Sequence, residues 1–343
     1  SEMCIRDSME SKRADSVAIS RWRSPVQIAL AGAGLLLLAV GLLTPFSETE
    51  TIRTFWGRDG VVEVRRNGSI WIDGLWHSRL SDGKSHIGNP YNWMMVAGAV
   101  LAHRDEPMRD ALVVGNGIGI TAATLAKLDG LQVDAYEINR TLAKLFVHYP
   151  EQTLYSATHP RIRIRWQDGR SGLALDTKRY DLIVSAPLHL RAAGSSNLLS
   201  REYLELARSR LKKNGVMVLY SQEGRPEQAE IIRATVRSVF DYSETFLEGV
   251  LTVASDTPIE IDAASVRDRL EREGPLYREM ADYDRFLRRR KQGSLVGRFD
   301  AERLSVRSGT YLVTDDHPLV EYGTVAAKLL DALAPSATEA TSP

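Results

Sequence analysis

Glycines and two acidic residues follow short segments that are rich in β-forming residues. The run ALVV at residues 111–114 precedes GNGIG, the run QVDAY at 132–136 precedes Glu137, and the run IRIRW at 162–166 precedes Gln167-Asp168-Gly169. Glycines let a backbone approach a ligand closely, and a carboxylate accepts hydrogen bonds from hydroxyl or amino groups. Glu137 lies 22 residues after Gly115, close to the spacing of about 20 residues between a nucleotide-binding turn and its ribose-binding acid.

This pattern predicts a nucleoside site at the carboxyl ends of neighbouring strands. A glycine-rich turn does not by itself distinguish a dinucleotide from S-adenosylmethionine, but an acid after the third run adds a group that can accept an adenine amino group. The predicted cofactor-binding residues are Gly115, Asn116, Gly117, Gly119, Glu137, Ile138, Asp168 and Gly169.

The elements that must position these residues alternate between strands and helices. Such a rhythm predicts an α/β fold with a doubly wound, mostly parallel, Rossmann-like sheet. Apolar alternation on both sides of Asn67-Gly68 predicts a hairpin, and hence a small β unit before the main domain. The predicted strands are residues 111–114, 132–136, 162–166, 182–184 and 216–220, and the predicted helices are residues 91–101, 120–128, 140–147, 201–211 and 227–239.

Composition excludes several classes of function. The 343 residues include 44 basic and 44 acidic side chains, so no net charge favours nucleic acid as a partner. The only cysteine, Cys4, excludes an internal disulfide and any metal site of several thiolates. Asp315-Asp316-His317 is interpreted as a turn before Pro318, and no metal is expected.

The N-terminal region contains 18 consecutive residues without a charge, at positions 26–43. This length favours a transmembrane helix over a signal peptide, the alternative. The domain prediction is a leader and juxtamembrane segment at 1–24, with residues 1–8 of uncertain origin, a transmembrane helix at 25–45, a β domain at 51–90, a nucleoside-binding catalytic domain at 91–322, and a flexible tail at 323–343.

Two arguments about the orientation of this helix conflict. Four basic residues precede the apolar run and two follow it closely, which favours a domain outside the cytoplasm. A charged adenosyl cofactor is made in the cytoplasm and crosses bilayers poorly. The prediction is therefore a single-pass protein of the bacterial inner membrane with a cytoplasmic globular domain.

Five segments resemble the successive motifs of the spermidine synthase family of aminopropyltransferases, in particular its membrane-attached bacterial members. They are VVGNGIGITAATLAKL, VDAYEIN, HPRIRIRWQDGR, YDLIVSAP and LLSREYLELARSRLKKNGVMVLYSQ. IDGLWH and TDDHPLVEY add weaker similarity, and the resemblance spans about residues 54–322. It implies S-adenosylmethionine or decarboxylated S-adenosylmethionine as co-substrate, and an acidic pocket that deprotonates an amine acceptor.

The chain departs from the family in that acidic pocket. In an ungapped alignment the two acids of the loop after the fourth strand fall at Ser185 and Leu188. His77 replaces a glutamine, and Trp93 replaces a glutamate two residues after a substrate-site tyrosine, Tyr91. A polyamine would lack charge partners here. The candidate catalytic residues are therefore Ser185, His189 and Tyr91.

Three functional classes stay open. The first is a spermidine-synthase-like transferase whose acceptor is a small molecule, with an amine as one candidate. The second is an S-adenosylmethionine-dependent methyltransferase, and the third is a non-catalytic nucleoside-binding membrane module. A homo-oligomer is compatible with each of them.

Overall fold

The first four strands of the computed structural model form a small antiparallel sheet. The structure describes residues 49–81, 90–103, 107–186, 189–190, 194–221, 226–247, 250–298 and 311–322. The strands pair in the order β1-β2-β3-β4. Val62 pairs with Ile72 and Val64 with Ile70, which confirms the predicted hairpin. The bounds are β1 Thr51–Gly57, β2 Gly60–Arg65, β3 Ser69–Ile72 and β4 Leu75–Arg79.

The other seven strands form the central sheet. They are β5 Asp110–Val114, β6 Gln132–Glu137, β7 Ile162–Trp166, β8 Tyr180–Ser185, β9 Leu211–Tyr220, β10 Tyr242–Phe246 and β11 Leu251–Ser255. Their order in space is β10-β11-β9-β8-β5-β6-β7. Pairing is parallel from β7 through β6, β5 and β8 to β9, whereas β11 is antiparallel to both of its neighbours. The predicted Rossmann-like α/β fold, of the type found in methyltransferases, is thus confirmed.

Helices cover both faces of the central sheet. Alternate residues of β5 belong to different cores: Ala111 and Val113 to one, Leu112 and Val114 to the other. Because both faces are buried, the strand is apolar throughout rather than alternating. The helices are α1 Pro90–Ala102, α2 Ile120–Leu125, α3 Ala143–His148, α4 Gly169–Leu175, α5 Arg201–Ser209, α6 Pro226–Val239, α7 Ala263–Glu271, α8 Pro275–Arg289, α9 Leu295–Arg298 and α10 Leu319–Tyr322.

The small sheet packs on the turn that follows β5. Its buried side chains form one core with Ile118 and Ile120, with Leu142 just before α3 and with Leu145 of α3; they are Phe55, Val62, Val64 and Ile70. A hydrogen bond reinforces the contact, because Lys144 Nζ donates to the carbonyl oxygen of Trp56 at 2.6 Å. This packing holds β4 over the glycine-rich turn.

The boundary between α5 and β9 differs from the prediction. The helix ends at Ser209, and the strand begins at Leu211 instead of residue 216. Polar residues open this strand because Lys212 pairs with Asp110 at 2.6 Å and with Asp181 at 3.0 Å, at the amino ends of β5 and β8. A strand that begins with an ion pair carries no apolar signal in sequence.

The expectation of a single-pass inner-membrane protein requires correction. In the part of the chain that the structure describes, no helix has the length and apolar character that a membrane span requires. The predicted transmembrane helix at 25–45, like the tail at 323–343, lies outside the described residues.

Candidate functional site

Parallel pairing of β5 with β6 brings the glycine turn to Glu137. Glu137 Oε2 accepts a hydrogen bond from the backbone N–H of Gly117 at 2.7 Å, and Oε1 accepts one from Asn139 N–H at 2.8 Å. The side chain is 6% exposed. Burial raises the pKa of Glu137 to about 6, against the opposing effect of the backbone amides. The acid predicted to bind ribose is therefore fixed beside the turn.

The glycines of the turn have little space for a side chain. Gly115, Gly117 and Gly119 have φ values of +82°, +55° and +80°, in the left-handed region. A Cβ added at Gly115 would lie 3.3 Å from the carbonyl oxygen of Ala186, and one at Gly117 would lie 3.1 Å from His77 Cε1. The turn therefore requires glycine for conformation and for space.

Asn116 lies between these glycines and is 4% exposed. Neither of its side-chain amide atoms, Nδ2 and Oδ1, has a hydrogen-bond partner among the described residues. Buried polar atoms of this kind carry a cost of about 1–3 kcal/mol unless a ligand or water satisfies them. A ligand with hydroxyl or amino groups at the turn would satisfy both atoms, so these residues fit a nucleoside cofactor.

Asp168 and Gly169 lie at the start of α4, a helix that the sequence did not predict. Asp168 is exposed and caps the helix by accepting a hydrogen bond from Ser171 N–H at 2.7 Å. A Cβ added at Gly169 would lie 2.6 Å from Val114 Cγ1, so the helix lies very close to β5. Ile138 is 64% exposed beyond β6. The carboxyl end of β7 thus lies on the same edge as the glycine turn.

Ser185 lies deeper than the sequence suggested. Its side chain is fully buried, and its Oγ accepts a hydrogen bond from the Tyr203 hydroxyl at 3.0 Å. The hydroxyl is thus engaged inside the core, whereas the sequence predicted that Ser185 lines the active site. Leu188, the position of the family's second acid, lies outside the described residues.

Tyr91 joins an aromatic cluster. Its hydroxyl lies 2.6 Å from Ser78 Oγ, and its ring centroid lies 5.4 Å from that of Tyr220 and 6.4 Å from that of Trp76. Burial raises the pKa of Tyr91. The tyrosine is therefore a neutral hydroxyl at neutral pH.

His189 contacts the small sheet. Its Nε2 lies 2.5 Å from the carbonyl oxygen of Trp76. The neighbouring residue of β4, His77, has a buried Nδ1 without a partner among the described residues. Burial and, secondly, His189 lower the pKa of His77 to about 4. Two imidazoles thus lie near each other beside the glycine turn.

Sequence reasoning did not select several residues of this region. Tyr220 ends β9, so the rule about the carboxyl ends of parallel strands would have found it. Asn92 is 5% exposed and has an unpartnered Nδ2, while its Oδ1 accepts from Thr121 Oγ1 at 2.6 Å. His77 appeared only as a replaced glutamine. No sequence signal marks Asn92, since it lies within an apolar helix.

The region of Asp315-Asp316-His317 is a turn, as predicted. Thr314 and His317 exchange backbone hydrogen bonds of 3.3 and 3.1 Å. Asp315 forms a bidentate pair with Arg170, with both N···O distances at 2.6 Å. Across the described ranges of the chain, no group of three or more metal-binding side chains is close enough to hold an ion.

Part of the chain is similar in sequence to a known protein domain. Residues 89–254 match the model of the Spermine/spermidine synthase domain. No curated protein shows a significant sequence match to the chain.

Solved structures of spermidine synthases share the fold. A probable spermidine synthase from Corynebacterium glutamicum is 19% identical, with a TM-score of 0.54 over 78% of this chain and 97% of that one. The spermidine synthase from Thermotoga maritima is 18% identical, with a TM-score of 0.53 over 65% of this chain and 79% of that one. A spermidine synthase in complex with the transition state analogue AdoDATO gives the same TM-score and coverage at 17% identity. Residues 89–254 are therefore similar in sequence to the Spermine/spermidine synthase domain, and the chain shares the fold of solved spermidine synthases.

Proposed function

We propose that this protein is a transferase of the spermidine synthase type, which binds S-adenosylmethionine or its decarboxylated form at the glycine turn. The observation that carries the proposal is the buried Glu137 carboxylate bonded to Gly117 N–H, beside the unsatisfied amide of Asn116. The sulfonium of such a cofactor, when bound, activates the adjacent carbon for transfer to an acceptor.

Each residue of the proposed cofactor site has its own role in binding. Glu137 keeps acceptor capacity beyond its two backbone bonds, since a carboxylate offers about four lone-pair sites, and it would accept the ribose hydroxyls. Asn116 offers both a donor and an acceptor. Asp168, whose carboxylate caps α4, would accept the adenine amino group. Gly115, Gly117 and Gly119 give the turn its left-handed backbone conformation, and Gly169 lets α4 lie close to β5.

Methyl transfer is the second candidate. The observation that favours it is the uncharged character of the region around Tyr91, where the described contacts are with Ser78, Trp76 and Tyr220. A polyamine buried there would be without charge partners among these residues, at a cost of several kcal/mol per ammonium. Mass spectrometry of the nucleoside retained by the purified protein distinguishes the two: methylthioadenosine supports aminopropyl transfer, and S-adenosylhomocysteine supports methyl transfer.

Replacement of Glu137 tests the cofactor site. Glu137→Ala removes charge-assisted hydrogen bonds worth about 1.5–3 kcal/mol each. We expect calorimetry with methylthioadenosine and with S-adenosylhomocysteine to show at least a tenfold loss of affinity for whichever nucleoside the protein binds.

The matched control is Glu244→Ala, because Glu244 lies on β10 at the far edge of the sheet from β6. This variant should bind the nucleoside as tightly as the natural protein. Equal affinity of Glu137→Ala and the natural protein would place the ribose elsewhere and refute the proposed site.

A further inference from the structure

A β-bulge places His77 over the glycine turn. In the pairing of β3 with β4, Ile70 lies opposite Ser78 and Trp71 lies opposite Trp76, so His77 has no partner in β3. A bulge redirects the side chain of its extra residue and is common beside active sites. The His77 ring lies so close to Gly117 that an added Cβ would be 3.1 Å from Cε1.

Contacts with uncharged groups link His189 to the aromatic residues beside His77. His189 Nε2 contacts the Trp76 carbonyl oxygen, and the Trp76 ring meets the edge of Tyr91, which in turn packs against Tyr220. The one carboxylate found at the glycine turn, Glu137, accepts two backbone amides and belongs to the predicted ribose site. Among the described residues, these contacts of His189, Trp76 and Tyr91 are therefore with aromatic rings, a hydroxyl group and a carbonyl oxygen.

These surroundings oppose positive charge at His77. Burial and the neighbouring His189 lower the pKa of His77 to about 4, so its imidazole is neutral at physiological pH. A neutral imidazole has one nitrogen that accepts a hydrogen bond and one that donates. It cannot deprotonate an alkylammonium ion efficiently, because its affinity for a proton is far lower. It can receive a proton that an uncharged amine releases as that amine attacks.

We propose that the acceptor is an aromatic amine that is uncharged at neutral pH, with its ring against Tyr91 and Trp76 and its nitrogen at His77. This inference rests on the proposed function. The amine nitrogen would form a bond to the carbon attached to sulfur, the carbon–sulfur bond would break with its electron pair moving to sulfur, and the proton released by nitrogen would pass to the His77 imidazole and then to water.

Two probes that share a ring and differ in charge test this class. Aniline is uncharged at neutral pH, whereas benzylamine is a cation, and putrescine serves as the dication. With whichever adenosyl cofactor the protein binds, we expect aniline to give at least tenfold higher kcat/KM than benzylamine or putrescine. Preference for either cation would overturn the inference.

His77→Gln, which restores the residue of the resembled family, tests the role of the imidazole. We expect kcat with aniline to fall at least tenfold, with nucleoside affinity unchanged within twofold. His317→Gln is the matched control, because His317 is exposed and its side chain bonds to the nearby Thr314, and it should behave as the natural protein. An unchanged kcat for His77→Gln would refute the assignment.

A binding measurement separates failure of this inference from failure of the proposed function. The ring signals of His77 are assigned in nuclear magnetic resonance spectra by their absence from His77→Gln, and aniline is added to protein holding the inert nucleoside product. We expect these signals to shift with aniline and not with benzylamine. Nucleoside binding without such a shift overturns only the acceptor class, whereas failure to bind any adenosyl nucleoside overturns the proposed function itself.

Discussion

Burial and hydrogen bonding have opposite effects on the ionisation of Glu137. Its burial disfavours the ionised form and raises its pKa to about 6, from an ordinary value of 4.5. The folded protein therefore holds this proton at pH values where the unfolded chain has released it. By linkage, the contribution of Glu137 to stability is greatest at low pH and is lost as the pH rises from about 4.5 to about 6.

Glu137→Gln should reveal this cost. Glutamine has no proton to lose, so the stability of the variant relative to the natural protein should increase between pH 4 and pH 7.5. A shift of about 1.5 pKa units corresponds to about 2 kcal/mol. Urea unfolding at both pH values measures the difference, and Glu244→Gln supplies the comparison. A difference that is the same at both pH values would show that Glu137 titrates normally.

At the residue scale, the sequence alone predicted which residues lie at the carboxyl ends of the strands. It predicted few of the residues that pack against those strand ends. Glu137 and the glycines follow apolar runs, and the sheet topology brings them together at Gly117. The position of His77 depends on a bulge, which is set by the pairing of β3 with β4 and not by local composition. Ser185 shows the reverse: the strand end was predicted, but burial beneath Tyr203 was not.

The close approach of α4 to β5 belongs to the scale of elements. Gly169→Ala should destabilise the protein by about 1–3 kcal/mol through overpacking, because its Cβ would lie 2.6 Å from Val114 Cγ1. Val114→Ala alone should also destabilise, by leaving a cavity in the core. In the double variant each change relieves the other, so we expect a loss smaller than the sum of the two.

Urea unfolding of the four proteins measures this coupling as a double-mutant cycle. Strict additivity would mean that α4 moves away from the sheet to accommodate a methyl group. The cycle therefore also reports how rigidly the helix capped by Asp168 is held.

The elements themselves differ in how well they can be predicted from sequence. Strands β5, β6 and β7 are short apolar runs before glycine or acidic residues, and they lie within one residue of their predicted bounds. The start of β9 was missed because Lys212 and Lys213 are polar, and α4 was missed because seven residues containing two glycines give a weak helical signal. Tertiary contacts decide the structure of such segments.

At the scale of the whole molecule, an ion network joins the amino ends of the central strands. Lys178 pairs with Asp110 and Asp134, and Lys212 pairs with Asp110 and Asp181, at 2.6 to 3.0 Å. For Asp181, burial alone would raise the pKa, but two backbone amides and Lys212 outweigh it and lower the pKa. This stabilisation is present above the unfolded pKa and is lost as the pH falls below about 4.

Lys212→Met should therefore destabilise the protein at pH 7 by about 1–2 kcal/mol, a moderate value because the pair is partly exposed. The loss should shrink as the pH falls through the lowered pKa values of Asp110 and Asp181. Lys213→Met is the matched control, since the neighbouring lysine is exposed and should change stability by less than about 0.5 kcal/mol. Equal effects of the two substitutions in urea unfolding would contradict a network that depends on Lys212.

The position of β11 constrains the order in which the chain can fold during synthesis. This strand follows β10 in the chain, but in the sheet it lies between β9 and β10 and pairs with both. Until β11 has left the ribosome, β9 has an unpaired edge that other nascent chains can join. A translational pause before β11 has left the ribosome would thus lengthen the period in which the growing chain is prone to aggregate, whereas a later pause would not.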